Sequence, residues 1–189
     1  MQRRKMLRGL AAIPLLSVTP LAFAREVAEK KGDVVVEDLQ KNWKMLLAEG
    51  ADVAPGSEPL ALSKEEWHKR LTSQQYHILR EEGTEAAGTS ALNNEKRPGV
   101  YVCGGCALPL FTSEMKFDNG TGWPSFFTTI PDAFGTSRDF KLVWPRTEYH
   151  CARCAGHHGH VFKDGPAPTG LRYCNNGVAL RFIPKTGKV

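Results

Sequence analysis

Five cysteines divide by spacing into four and one. Cys103-Gly-Gly-Cys106 and Cys151-Ala-Arg-Cys154 are two C-x-x-C pairs. Each can present two thiolates from one tight turn, and Gly104 and Gly105 let the first turn bend closely around an ion. Two such turns complete a tetrahedral four-sulfur shell, which suits Zn2+. The expectation is therefore one structural Zn2+ per chain on Cys103, Cys106, Cys151 and Cys154. In an exported protein the same residues could instead form disulfides, and a single C-x-x-C could be redox-active. The doubled motif is what favours metal.

Cys174 stands alone, in Gly170-Leu-Arg-Tyr-Cys-Asn-Asn-Gly177. If this segment is a strand, Arg172 lies on the same face two residues away. A nearby cation favours thiolate, the reactive form of the side chain. An inert structural thiol is the alternative, and the polar neighbours weaken it. Gly122-Trp123-Pro124-Ser125-Phe126 offers a rigid aromatic surface that could wall a site or simply fill the core. The run His157-His158-Gly159-His160 could supply proton donors, metal ligands or packed core histidines. Four cysteines already complete a zinc shell, which leaves the histidines free for acid–base work.

The elements that must position these residues are short. Val36, Leu39, Trp43 and Leu46 or Leu47 fall on one helical face, which Gly50 can end, and residues 51–59 read as a linker. Ser63 with Glu66, and Thr72 with Gln75, are two successive capping boxes, with Leu62/Trp67 and Leu71/Tyr76 as hydrophobic staples. Gly83 is placed to stop the second of these helices. After Pro98 the helical period disappears. Short strands are expected at Val100–Cys103, Met115–Phe117, Phe140–Val143, Glu148–Cys151, His160–Phe162, Leu171–Cys174 and Val178–Ile183, separated by turn residues. The reading is a compact, mainly antiparallel β domain over residues 61–186, preceded by short helices and by an extension over 25–60.

The first 24 residues read as an export signal. They hold Arg3, Arg4, Lys5 and Arg8, no acid, a broken apolar run from Leu10 to Phe23, and a small-x-small end at Ala22-Phe23-Ala24. Arg3-Arg4-Lys5-Met6-Leu7 fits a twin-arginine pattern. The four basic residues account for all but one of the formal charge of +5, so the rest is nearly neutral and carries no nucleic-acid footprint. The leader is too short and too interrupted for a membrane anchor. A soluble periplasmic protein is expected. Twin-arginine export carries folded proteins, which would allow metal loading in the reducing cytoplasm.

Taken in order, Cys103-x-x-Cys106, Gly122-Trp-Pro-Ser-Phe126, Cys151-x-x-Cys154, His157-x-Gly-His-Val-Phe162, Asp164-Gly-Pro166 and Arg172-Tyr-Cys-x-Asn176 resemble the methionine-R-sulfoxide reductases, the MsrB family, over residues 62–184. The resemblance implies two antiparallel sheets in a β-tent, with the zinc site away from the active centre. It implies that Cys174 is the nucleophile and that Trp123 and Phe162 line the substrate pocket. His157, His160 and Asn176 match active-site positions, and Arg172 matches the arginine beside the nucleophile. It also implies preference for the R epimer of the sulfoxide. Thr121 stands where many members carry a resolving cysteine, His158 where Leu is usual, and Asn175 where an aliphatic residue is usual. In such an enzyme Cys174 becomes a sulfenic acid and an external thiol restores it, a thioredoxin-like periplasmic protein being the natural reductant and oxidised methionine in exported proteins the substrate. Two other readings remain open on the residues alone: a non-catalytic zinc-ribbon-like binding module, and a thiol oxidoreductase that uses a C-x-x-C.

Overall fold

The computed structural model describes residues 35–141 and 144–185; the leader over 1–24 lies outside the described residues. Two antiparallel sheets form the body, as the turn-rich sequence after Pro98 predicts. The smaller has the order β2-β1-β9, with β1 at Gly99–Cys103, β2 at Pro109–Thr112 and β9 at Leu180–Pro184. The larger has the order β3-β4-β8-β7-β6-β5. Its strands are β3 (Lys116–Phe117), β4 (Ser125–Phe126), β5 (Phe134–Asp139), β6 (Arg146–Cys151), β7 (His157–Phe162) and β8 (Arg172–Asn175).

The sheets meet across an aromatic seam. The Phe111 ring of the small sheet lies flat on Phe126 of the large one, with centroids 4.0 Å apart and planes 8° from parallel. Tyr101 meets Phe126 edge-on, and Phe134 meets Tyr149 edge-on behind them. Tyr101, Phe111, Phe126 and Tyr149 are fully buried. Offset and edge-to-face contacts of this kind add about 0.5–1.5 kcal/mol per pair to the area they bury. Because side chains alternate along a strand, committing one face of the large sheet to this seam leaves its other face available for chemistry.

The capping chemistry forms as expected. α2 (Lys64–Arg70) is capped by Ser63 with Glu66, and α3 (Ser73–Glu81) by Thr72 with Gln75, both as reciprocal boxes. Trp67, Leu71, Tyr76, Ile78 and Leu79 are buried, which docks the pair onto the domain. The residue that ends α3 is not Gly83 but Glu82, which adopts the left-handed conformation at φ 55°, while Gly83 donates its N–H to the His77 carbonyl. In the extension, the described part of α1 covers 35–42 and runs into a 3-10 turn at Trp43–Leu46. Leu39, Trp43, Leu46 and Leu47 pack against the core, the face that the periodicity indicated.

Strand placement needs correction in one region. Of the expected strand Phe140–Val143, Phe140 and Lys141 lie in no strand, Phe140 being 72% exposed just after the last residue of β5, and residues 142–143 lie outside the described residues. The strand there is Phe134–Asp139, whose pattern is polar because it is the outer edge of the sheet and its middle residues face solvent. Val178–Ile183 likewise begins as a 3-10 turn at Gly177–Ala179 before β9. Pro109–Thr112 and Ser125–Phe126 are strands that the pattern did not indicate.

Two expected outcomes follow from close packing. A Cβ on Gly159 would collide with the Cys174 carbonyl oxygen on the adjoining strand. Gly159→Ala should therefore cost at least about 2 kcal/mol in urea denaturation, since backbone rather than a flexible side chain must yield. His158 is fully buried, its Nε2 has no partner among the described residues, and burial holds its pKa down to about 4. A depressed histidine contributes its full stability above the unfolded value near 6.5 and loses it as pH falls toward 4. The stability of His158→Leu relative to wild type should therefore rise between pH 7.5 and pH 5 by about 2 kcal/mol. A pH-independent difference would show that His158 does not titrate in this way.

Candidate active site

β8 sorts its four residues by alternation. Tyr173 and Asn175 point toward the aromatic seam, and Arg172 and Cys174 point to the opposite face. Cys174 pairs with Ser125 of β4 on one side and with His160 of β7 on the other, while Arg172 pairs with Phe162. The Arg172 guanidinium sits 4.4 Å from the Phe162 ring centre and makes a two-pronged bond to Asp164, with both distances 2.8 Å.

A β-bulge brings the second histidine to this face. Tyr149 pairs with Gly159, but the next residue of β6, His150, pairs with His157, so β7 spends an extra residue at His158. Two residues on one strand then oppose one on the other. Three positions apart, His157 and His160 would face opposite ways in a regular strand; here their ring centres are 5.6 Å apart. His158 is turned into the core instead, where its Nδ1 lies 3.4 Å from Asn175 Oδ1. Two of the three residues at which this chain departs from the familiar pattern thus meet as a buried polar pair.

Each histidine of this face has its own carboxylate. His157 Nδ1 is 2.6 Å from Glu148 Oε1, and His160 Nε2 is 2.7 Å from Asp139 Oδ2. Asp139 is held by the Lys141 backbone N–H and by Arg146, and these with His160 keep its carboxyl well below the usual range. Burial works to raise the Glu148 carboxyl, yet bonds from His157 and Ser137 leave it lowered. Burial lowers His160, against the pull of Asp139, and so favours a neutral ring at pH 7.

Cys174 is half-buried at the floor of a cavity of about 140 Å³, lined by Thr84, Trp123, Arg146, His160, Phe162 and Asn176 among others. Trp123 donates its indole N–H to the Glu85 carbonyl at 3.1 Å, which fixes the ring. Gly122, at φ 87°, makes the turn before it, and a Cβ there would crowd the backbone of Gly88. Asn176 has its side chain committed: Oδ1 accepts from the Glu85 N–H and Nδ2 donates to the His158 carbonyl. It shapes the pocket by tying three segments together. Glu85 returns the tie, its carboxylate accepting the Gly177 and Val178 N–H groups.

The electrostatics of Cys174 differ from the sequence expectation. Arg172 does pull its pKa down, as do hydrogen bonds from Ser125 and Arg172, but burial outweighs them and the thiol sits above its ordinary value. In the free protein the group is a thiol at neutral pH, and its proton must leave as it attacks.

The other four cysteines cluster elsewhere. Cys103–Cys106 is the β1–β2 turn and Cys151–Cys154 the turn that leaves β6. Their sulfurs all lie within 4.8 Å of one another, with Cys103–Cys154 at 3.7 Å and Cys106–Cys151 at 3.5 Å, and all four residues are buried. A tetrahedral shell at about 2.3 Å from the metal has edges of about 3.8 Å, so the four sulfurs fit one ion. None of them lines the Cys174 cavity.

All seven non-metal site residues picked from sequence lie on the strands, loop and turn around Cys174; His157, beside His160, and Arg172, against Phe162, lie outside the cavity lining. Sequence reasoning missed Asp139, Arg146, Glu148 and Glu85. Asp139 and Arg146 are paired residues of β5 and β6, a relation hidden once the strand is placed after Asp139 rather than before it. Glu148 and Glu85 had no spacing signal.

The SelR domain family matches residues 71–184. The chain is 51% identical over 130 residues to peptide methionine sulfoxide reductase B1, chloroplastic, of Arabidopsis thaliana, a match covering 68% of this chain and 64% of that one. It is 49% identical over 121 residues to peptide methionine sulfoxide reductase MsrB of Leptospira interrogans, covering 64% and 92%. It is 52% identical over 124 residues to peptide methionine sulfoxide reductase MsrB of Pseudomonas putida, covering 65% and 93%. The matched part thus spans less than two thirds of the plant protein and nearly all of the two bacterial ones. With the paired cysteine turns, the tryptophan wall and Cys174 facing two histidines across adjacent strands, the chain belongs to the SelR domain family.

Proposed function

We propose that the protein is a peptide-methionine (R)-S-oxide reductase that uses Cys174 as its nucleophile. The observation that carries this reading is a solitary thiol on the floor of a small pocket walled by Trp123, Phe162 and His160. An apolar wall suits the methyl group of the sulfoxide, and the polar wall suits its oxygen.

The Cys174 sulfur attacks the sulfoxide sulfur as the thiol proton passes to the adjoining histidine, whose ring is neutral beforehand. The sulfoxide oxygen gathers negative charge and must be protonated, a task within reach of a histidine on the adjoining strand. His160 pairs directly with Cys174, with His157 behind it. The thiol and the sulfoxide together yield a sulfenic acid on Cys174 and a thioether on the substrate: the oxygen moves to the enzyme, Cys174 loses two electrons and the substrate sulfur gains them. Two external thiols then return Cys174 to the thiol, releasing a disulfide and water. No second cysteine lines the pocket. Thr121 is exposed, with its hydroxyl bound to Asn119.

Cys103, Cys106, Cys151 and Cys154 are proposed to hold one Zn2+, which supplies a cross-link between the β1–β2 turn and the end of β6 and takes no part in the reaction. The basic leader with its Arg3-Arg4 pair supports twin-arginine export to the periplasm, with oxidised methionine in exported proteins as substrate and a thioredoxin-like protein as reductant. A zinc-ribbon-like binding module would leave the tryptophan-walled thiol pocket without a purpose.

Cys174→Ser should stay folded and lose turnover of methionine-R-sulfoxide by at least about a thousandfold; a folded variant that keeps its activity would remove Cys174 from the role. Reduced wild-type enzyme mixed briefly with sulfoxide, without reductant, should form one methionine per chain and gain one oxygen, about 16 Da. Loss of two thiols within one chain would instead mean that a cluster cysteine resolves the intermediate. Elemental analysis should find one zinc per chain. Cys103→Ser should lower both metal content and melting temperature sharply, because such sites contribute roughly 10–16 kcal/mol of binding free energy. Metal-free protein with full activity would defeat the assignment.

A further inference from the structure

We propose that Asp139 is a positioning residue for the reaction, fixing the tautomer and the protonation of His160, with Arg146 as its counterweight. This rests on the reductase reading above. His160 Nε2 lies 2.7 Å from Asp139 Oδ2, and the same oxygen lies 2.6 Å from Arg146 Nη2. An ionised carboxylate only accepts, so His160 Nε2 must carry the hydrogen. Of the two ring nitrogens, Nδ1 is the one left for the pocket that His160 lines. Asp139 itself is 9% exposed and is fixed by the Lys141 N–H at 2.8 Å, so its carboxylate cannot swing away freely. Arg146 reaches the same cavity, and its Nε is buried without a partner among the described residues.

The charges around His160 come from every neighbouring strand: Asp139 from β5, Arg146 and Glu148 from β6, His157 on its own strand, and Cys174 and Arg172 from β8. Among the first pair the effects oppose. Asp139 raises the affinity of the ring for a proton, and Arg146 lowers it. Removing one or the other should therefore move His160 in opposite directions, which loss of packing alone would not do.

The test is the titration of His160 by 15N NMR in the full chain, together with the pH profile of kcat on free methionine-R-sulfoxide. The wild-type neutral ring should be protonated on Nε2. Asp139→Asn should lower the His160 pKa by about one unit or more and carry the alkaline limb of kcat down with it, KM changing little. Arg146→Gln should raise both, and Asp139→Glu should restore most of the shift. A His160 titration unmoved in Asp139→Asn, or moved the same way in both variants, overturns the proposal. Should Asp139→Asn fail to fold, the sign of the Arg146→Gln shift decides. The NMR arm needs no turnover, so failure of the reductase reading would show as absent activity with the tautomer intact.

A second inference rests on a separate set of contacts. Residues 35–60 precede the matched domain, yet they are fastened to the two cysteine turns. Ala54 N–H donates to the carbonyl of Ala107, which follows Cys106, at 2.9 Å. Leu60 N–H donates to the carbonyl of Arg153, which lies between Cys151 and Cys154, at 2.7 Å, and Arg153 donates back to the Gly56 and Glu58 carbonyls. Gln40 anchors the near end on Thr128 and Thr129. We infer that this segment is a strap that slows chemical attack on the four clustered thiolates. The test measures the alkylation rate of each cysteine by N-ethylmaleimide, by peptide mass mapping, in the full chain, in Arg153→Ala and in a chain begun at residue 61. With the strap loosened or absent, the four cluster cysteines should react about tenfold faster while Cys174 keeps its rate. Equal rates overturn the inference. If the shortened chain unfolds, Cys174 accelerates too, and the full-length Arg153→Ala variant decides.

Discussion

The flat contact of Phe111 on Phe126 is the constraint from which the rest of the molecule follows. It joins the two sheets through one aromatic layer and so decides which face of the larger sheet is inside. Once Tyr149 and Tyr173 are committed to that layer, strand alternation sends Cys174 and Arg172 outward without further instruction. The pocket face is what that packing leaves over. The four-cysteine cluster acts at the far end of the same arrangement, where the β1–β2 turn of one sheet meets the end of β6 of the other.

Polar satisfaction around the pocket is organised through carboxylates that do not themselves line it. Glu85 fixes the turn after Cys174, accepting from Gly177 and Val178, and its carbonyl orients Trp123. Asp139 and Glu148 do the same for the histidines. The pocket wall is thus rigid before substrate arrives, which is the arrangement that lets hydrogen bonds act at a transition state without reorganisation. The cost is local: His158 and Asn175 are buried with one polar atom each unpartnered among the described residues.

Much of this was legible in the sequence. The capping boxes at Ser63 and Thr72, the four-plus-one division of cysteines, and the sharing of one face by Arg172 and Cys174 all rest on short-range rules, and all are found. What was hidden depends on pairing between distant segments. The bulge that puts His157 and His160 on one face needs the β6–β7 register. Asp139 and Arg146 need the β5–β6 register. β5 is polar because it is an edge, so its composition hid it, while the apolar residues that follow it in the sequence drew the expected strand past it. The effect of burial on Cys174 was also out of reach, since a neighbouring arginine is visible in a sequence and the surrounding low-polarity wall is not.

The margins of the larger sheet have a consequence of their own. One margin, β3, is two residues long, and the other, β5, turns Thr136, Ser137 and Arg138 to the solvent. Long apolar margins recruit loose polypeptide by adding it as a further strand. On the proposed function, which takes oxidised chains one side chain at a time, such a flank would be a liability, and these blunt margins leave the small pocket as the place that holds a visiting chain.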